Sequence, residues 1–136
     1  VNDELLNVPD EQGLPTQPSQ FSVARSMLDE GAALIALVGE CDLANVDAFR
    51  AELDGALSDG ASAVVIDLDQ VDFIDSTYLG ALLGANERLT RSGGRLAIAR
   101  PQPEVRRTFE TARVDGVLAL FEAIGPAREH VRGGPA

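Results

Sequence analysis

The sequence predicts a single α/β domain, and three observations point there. Leu34–Gly39, Val64–Leu68 and Leu96–Ala99 are short continuous apolar runs, as in strands buried on both faces. The stretches between them repeat their apolar residues at three- and four-residue spacing, as amphipathic helices do. The chain has 136 residues, 45% of them hydrophobic, so one core can bury roughly 70% of the unfolded surface. Strands that alternate with helices call for crossover connections over a layered sheet.

Residues 1–19 carry Pro9, Pro15 and Pro18 among acids and polar residues, and read as an irregular arm. The domain is expected over 20–132, with a short tail at 133–136. Phe21, Val23 and Arg25 open the first strand, and Glu30-Gly31 turns it back into the run Leu34–Gly39. After a loop at Glu40–Leu43, Asn45 is placed to cap a helix that buries Val46, Phe49, Leu53 and Leu57 and turns Asp47, Arg50 and Asp54 outward. Asp59-Gly60 ends it. Val64–Leu68 is the next strand, and an acidic loop follows. A helix then runs to about Arg91, with Leu79, Leu82, Leu83 and Leu89 at helical spacing. Ser92-Gly93-Gly94 stops it before the strand Leu96–Ala99. Pro103 starts a helix that buries Val105, Phe109 and Ala112. Leu118–Phe121 is a last short strand, and Pro126 to about Val131 a last helix.

Net charge is −11, unevenly placed: residues 1–75 hold 16 acids and 2 arginines, whereas 76–136 hold 9 arginines and 6 acids. Phosphate backbones need clustered cations, so direct binding of nucleic acid is not expected. Solubility explains the charge most simply, and a basic protein surface is the partner it would suit. No run approaches the ~20 apolar residues of a membrane span, and Val1-Asn2-Asp3-Glu4 does not resemble a signal peptide. The expectation is a cytoplasmic protein without membrane insertion. All 11 cations are arginine, which excludes a phosphate-loop lysine, a Schiff base and a lysine general base. His130 is the one histidine and Cys41 the one cysteine, so no intramolecular disulfide and no multi-cysteine metal site can form. No cofactor is expected, and few tools remain for an enzyme.

The stretch Phe73-Ile74-Asp75-Ser76-Thr77-Tyr78-Leu79-Gly80 carries the functional question. Asp67, Asp69, Asp72 and Asp75 would suit a magnesium-binding phosphoacceptor site, but such receiver sites place a lysine on the acyl phosphate. A serine nucleophile would need flanking glycines and a histidine base; Ser76 lies between Asp75 and Thr77. A hydroxyl at a helix start is either a cap or a modifiable group, and either Asp75 or Ser76 can cap here. A phosphate on Ser76 would meet the positive end of the helix dipole. It would also add about −1.5 to −2 charge beside Asp72 and Asp75, which suits a reversible binding switch. Ser76, Gly80 and Gly84 recur along one side of the helix. That side either packs closely inside the protein or offers a shallow surface to another chain's backbone.

Gly39-Glu40-Cys41-Asp42-Leu43 after the second strand, together with Phe73–Gly80 after the third, resembles the STAS domain of bacterial anti-sigma factor antagonists. The resemblance covers nearly the whole chain except the arm. It implies a small mixed β-sheet of four to five strands with about four helices packed mainly on one side. It also implies that the unmodified protein binds an anti-sigma factor serine kinase and so frees a sigma factor. The kinase would then phosphorylate Ser76, and a serine phosphatase would reverse the modification. Asp42, Leu43, Asp75, Ser76, Thr77, Tyr78 and Gly80 would form the partner-binding surface, with ATP and magnesium belonging to the kinase. The family commonly has glycine at the position of Tyr78 and leucine at that of Cys41; Tyr78 would either touch a divergent partner or hinder kinase access. The alternative is a STAS scaffold that is not phosphorylated, such as a cytoplasmic subunit of a transport or stress-sensing assembly.

Overall fold

The computed structural model describes residues 20–133; the expected arm at 1–19 and residues 134–136 of the tail lie outside the described residues. The elements run β1 (Ser22–Asp29), β2 (Ala32–Cys41), α1 (Val46–Ser58), β3 (Ala63–Ile74), α2 (Ser76–Arg91), β4 (Arg95–Ala99), α3 (Pro103–Thr111), β5 (Ala119–Phe121) and α4 (Ile124–Val131). The five strands lie side by side in chain order. β1 and β2 form an antiparallel hairpin, and every later pairing is parallel, so the sheet is mixed. Gly31 makes the hairpin turn at φ 78°, a backbone conformation that costs glycine little.

Strand order explains where the helices go. From β2 onward each strand lies next to its predecessor, so the three crossovers advance in one direction across the sheet. Right-handed crossovers that all advance one way place all their helices on the same face. On that face Ile35, Leu37, Val64, Ile66, Leu68 and Ile98 pack against Phe49 and Leu53 of α1, Leu82 and Leu89 of α2, and Val105 and Phe109 of α3, all buried. α4 follows the last strand, is not a crossover, and takes the opposite face. Ala32, Ala63, Val65, Ala97 and Ala99 lie beneath its Ala127 and Val131, small side chains that let the helix approach closely. Arg128 fixes α4 to the hairpin by a two-pronged ion pair with Asp29 at 2.7 and 2.8 Å. The pair holds the Asp29 carboxyl below its ordinary range, chiefly through the hydrogen bond from Arg128.

Four expectations are corrected. The acidic loop after Leu68 is strand: β3 continues to Ile74 because β2 also continues, and Val38, Gly39, Glu40 and Cys41 pair with Gln70, Val71, Phe73 and Ile74. Alternation had hidden this extension, since two register shifts interrupt it. The β4 side of β3 ends earlier, at the pair Asp67–Ala99, and there an ion pair between buried Asp67 and exposed Arg100 finishes the sheet. Arg100, at φ 58°, turns its guanidinium onto Asp67 with bonds of 3.1 and 2.7 Å. Leu57 is only partly buried, and Ala56 takes its expected place in the core. Ala112 is exposed, because α3 ends at Thr111 and Ala112 is its C-terminal cap. Asn45 stands at the N-cap of α1 without making a side-chain cap bond; its amide is committed to the candidate site.

Candidate functional site

Parallel strands deliver their connections to one end of the sheet, so the β2–α1 loop and the start of α2 meet at the C-terminal ends of β2 and β3. The pairing of Cys41 with Ile74 sets their separation, and the Asp75 N–H donates to the Cys41 carbonyl at 3.1 Å. Asp75 then joins the two segments through its side chain. One oxygen accepts the Tyr78 N–H at 3.1 Å, which caps α2, and the other accepts the Leu43 N–H at 3.1 Å. A single carboxylate therefore satisfies a free helix donor and anchors the neighbouring loop. Asp42 folds that loop on itself by accepting the Ala44 N–H at 3.0 Å, and Leu43 is left 72% exposed at its tip.

With Asp75 as cap, Ser76 is the first residue of α2 and is exposed. Among the described residues its hydroxyl has no hydrogen-bond partner within the protein. Two readings had been open for this helix start, and the structure gives the capping role to Asp75. Thr77 is half-buried beside it.

Tyr78 points the other way. It is fully buried, its ring 5.6 Å from that of Phe49, and its hydroxyl donates to Asn45 Oδ1 at 2.6 Å. The Asn45 amide in turn donates to the Glu40 carbonyl at 2.9 Å, and its oxygen also accepts the Asp42 N–H at 3.3 Å. Asn45 is thus drawn away from capping α1 to serve a buried phenol and to brace the loop. The expectation that Tyr78 touches a partner or obstructs the serine is corrected: its side chain has no exposed surface to do either. Burial pushes the Tyr78 phenol well above its ordinary range and the neighbouring Cys41 thiol up to about 12. Both stay neutral, and Cys41 is a core residue.

Ser76, Gly80 and Gly84 of α2 are exposed, so close packing within the protein does not explain the two glycines. A methyl group added at Gly80 or Gly84 would meet nothing within 4 Å. They floor a groove of about 240 Å³ between α1 and α2, lined also by Arg50, Leu53, Asp54, Ala81, Ala85 and Arg88. Arg88 and Asp54 bridge the two helices at 2.7 Å. A second hollow, of about 390 Å³, lies between α2 and α3 and is lined by Ser76 itself; Leu79, Glu104, Arg107, Thr108, Thr111 and Ala112 complete its lining.

Asp42, Leu43, Asp75, Ser76, Thr77 and Gly80 therefore come together at one end of the domain, while the Tyr78 side chain lies beneath them. The four aspartates read along β3 do not converge: Asp67 is held by Arg100 and Asp75 by two backbone N–H groups. Among the described residues no group of three or more His, Cys, Asp or Glu side chains is placed to hold a metal ion. His130 sits on α4, on the opposite face, its ring 5.2 Å from that of Phe121, and burial pushes its pKa down. No described helix is long and apolar enough to cross a membrane. Asn45 is the site residue that sequence reasoning missed, because an Asn before a helix is read first as a cap.

A family model described as the STAS domain matches residues 28–127. The anti-sigma-F factor antagonist RsfB of Mycobacterium tuberculosis is 31% identical over 104 residues, 76% of this chain and 84% of its own length. The unphosphorylated form of the anti-sigma factor antagonist SpoIIAA superposes with a TM-score of 0.69 at 26% identity, covering 86% of this chain and all of that one. The phosphorylated form of SpoIIAA from Bacillus gives a TM-score of 0.64 at 25% identity, over 82% of this chain and all of that one. The chain belongs to the STAS-domain family.

Proposed function

We propose that this STAS-domain chain is an anti-sigma factor antagonist switched by phosphorylation of Ser76. In its unmodified form it binds an anti-sigma factor that is also a serine kinase, and so releases the sigma factor. Phosphorylation by that kinase ends the interaction, and a serine phosphatase restores it. The names of its relatives support this reading, and the existence of SpoIIAA in a phosphorylated and an unphosphorylated form supports the switch.

The observation that carries the proposal is the exposed hydroxyl of Ser76 at the first position of α2, without a hydrogen-bond partner among the described residues. Because Asp75 caps the helix, modification of Ser76 removes no hydrogen bond seen among the described residues. The added phosphate would lie at the positive end of the helix dipole, so the modified protein keeps its fold. At the surface it would place about −1.5 to −2 charge next to Asp75 and the exposed Leu43. A partner seated on Leu43, Ser76 and the groove floored by Gly80 would have to desolvate that charge, which is unfavourable without a matching cation.

The experiment is incubation with the cognate kinase and ATP, followed by intact-mass measurement. One phosphate should be added to the parent protein and none to Ser76→Ala. Labelling that survives in Ser76→Ala would place the acceptor elsewhere. Copurification with transporter or scaffold components and no kinase would favour the unswitched STAS subunit instead.

A further inference from the structure

Ser76 lines the α2–α3 hollow, whereas the α1–α2 groove begins one helical turn farther along α2, at Gly80, and the two differ in charge. The α1–α2 groove holds Arg50, Asp54 and Arg88, with Asp54 and Arg88 paired to each other and Arg50 3.4 Å from Asp47. In the α2–α3 hollow the charged groups are Glu104 and Arg107, next to Asp75 of the helix start. Glu104, Arg107, Thr108 and Thr111 are spaced three, one and three apart, so they form one stripe of α3 turned toward Ser76 and Leu79. Arg107 is exposed, and among the described residues it forms no ion pair, unlike its neighbour Arg106, which holds Glu122 at 2.7 Å. The Thr108 hydroxyl is turned back onto the Glu104 carbonyl at 3.2 Å. Arg107 is thus the cation bordering the space into which a group on Ser76 would project.

We infer that Arg107 is a positioning residue for the phosphorylated state: its guanidinium pairs with the phosphate on Ser76 and draws it into the α2–α3 hollow. The inference rests on the phosphoswitch proposed above and adds a direction to it. A guanidinium offers a forked set of donors that matches two phosphate oxygens. Glu104, on the same wall, opposes the pairing by like-charge repulsion. The phosphate is then held on the α3 side of α2, and its charge is partly compensated within the chain.

The test uses full-length protein carrying phosphoserine at position 76, installed by chemical ligation or genetic encoding, so that no kinase is needed. Phosphorus NMR follows the second ionisation of the phosphate, ordinarily near about 6. Pairing with Arg107 favours the dianion, so the parent should titrate lower than Arg107→Gln by ~0.5 unit, the scale of an exposed ion pair. Arg107→Lys should recover part of the shift, and Glu104→Gln should lower the value further. A structural role of either side chain would not move the two variants in opposite directions. Equal titration of parent and Arg107→Gln overturns the inference, whether or not a kinase modifies Ser76. Failure of the kinase to modify Ser76 would overturn the switch and leave this titration standing.

Discussion

The starts of α1 and α2 lie side by side at the same end of the sheet, yet the residue at each cap is used differently. At α1 the Asn45 side chain makes no cap bond; it accepts the buried Tyr78 hydroxyl and reaches back to the Glu40 carbonyl. At α2 the Asp75 side chain caps the helix and also holds the Leu43 N–H. The first start is braced from inside, where Asn45 ties its loop to the Tyr78 hydroxyl and the Glu40 carbonyl. The second is completed by the residue before Ser76, so the serine hydroxyl is left without a partner among the described residues. A hydroxyl at a helix start is open to modification when its predecessor has taken over the capping.

The bracing beneath the two helix starts is the most costly part to remove. Tyr78→Ala removes a fully buried ring packed on Phe49 and leaves the Asn45 amide without its phenol. Large-to-small changes of this kind cost about 3–5 kcal/mol. Urea unfolding should show that loss, and a change under ~1 kcal/mol would mean that the ring is not a core element.

Asp75→Ala strikes the α2 start itself. It removes the acceptor of two backbone N–H groups, those of Tyr78 and Leu43. A lost cap costs about 1 kcal/mol and a second lost hydrogen bond about as much again, so the variant should be destabilised by ~2 kcal/mol. Asp75→Asn keeps an acceptor and should recover part of this. If Asp75→Ala costs nothing in urea unfolding, the carboxylate is not the staple between loop and helix.

Gly84→Ala should have the smallest effect on stability and the opposite sign. The added methyl meets nothing within 4 Å, and alanine is favoured over glycine in a helix interior by about 1 kcal/mol. The variant should melt higher than the parent. If the α1–α2 groove receives a partner's backbone, the same variant should bind that partner more weakly, which separates binding from stability in one substitution.

Much of the fold was legible in the sequence. The apolar runs marked β2, β3 and β4, the helical stripes marked α1 and α2, and Pro103 marked the start of α3. The end of β3 was not legible, because Asp69, Gln70 and Asp72 look like a loop when the pairing with the tail of β2 is unknown. The face taken by α4 was equally hidden, since it depends on which side three crossovers had already filled. At the site, Ser76 and Asp75 stood out by chemistry, whereas their division of labour is a matter of backbone geometry. The burial of Tyr78 is marked in its spacing: with Leu82, Ala85 and Leu89 it completes a buried stripe at spacings of four, three and four. Arg107 had none, because its proximity to Ser76 is created by two helices that lie far apart in the chain.

The most direct test of the switch is the affinity of three forms of the protein for the cognate anti-sigma factor kinase: unmodified, Ser76→Ala, and phosphorylated at Ser76. Titration calorimetry without ATP keeps the forms distinct. The unmodified protein and Ser76→Ala should bind alike, because the hydroxyl bonds to nothing among the described residues, and the phosphorylated form should bind at least about tenfold more weakly, a loss of ~1.4 kcal/mol or more. Equal affinity of the phosphorylated and unmodified forms would contradict the account.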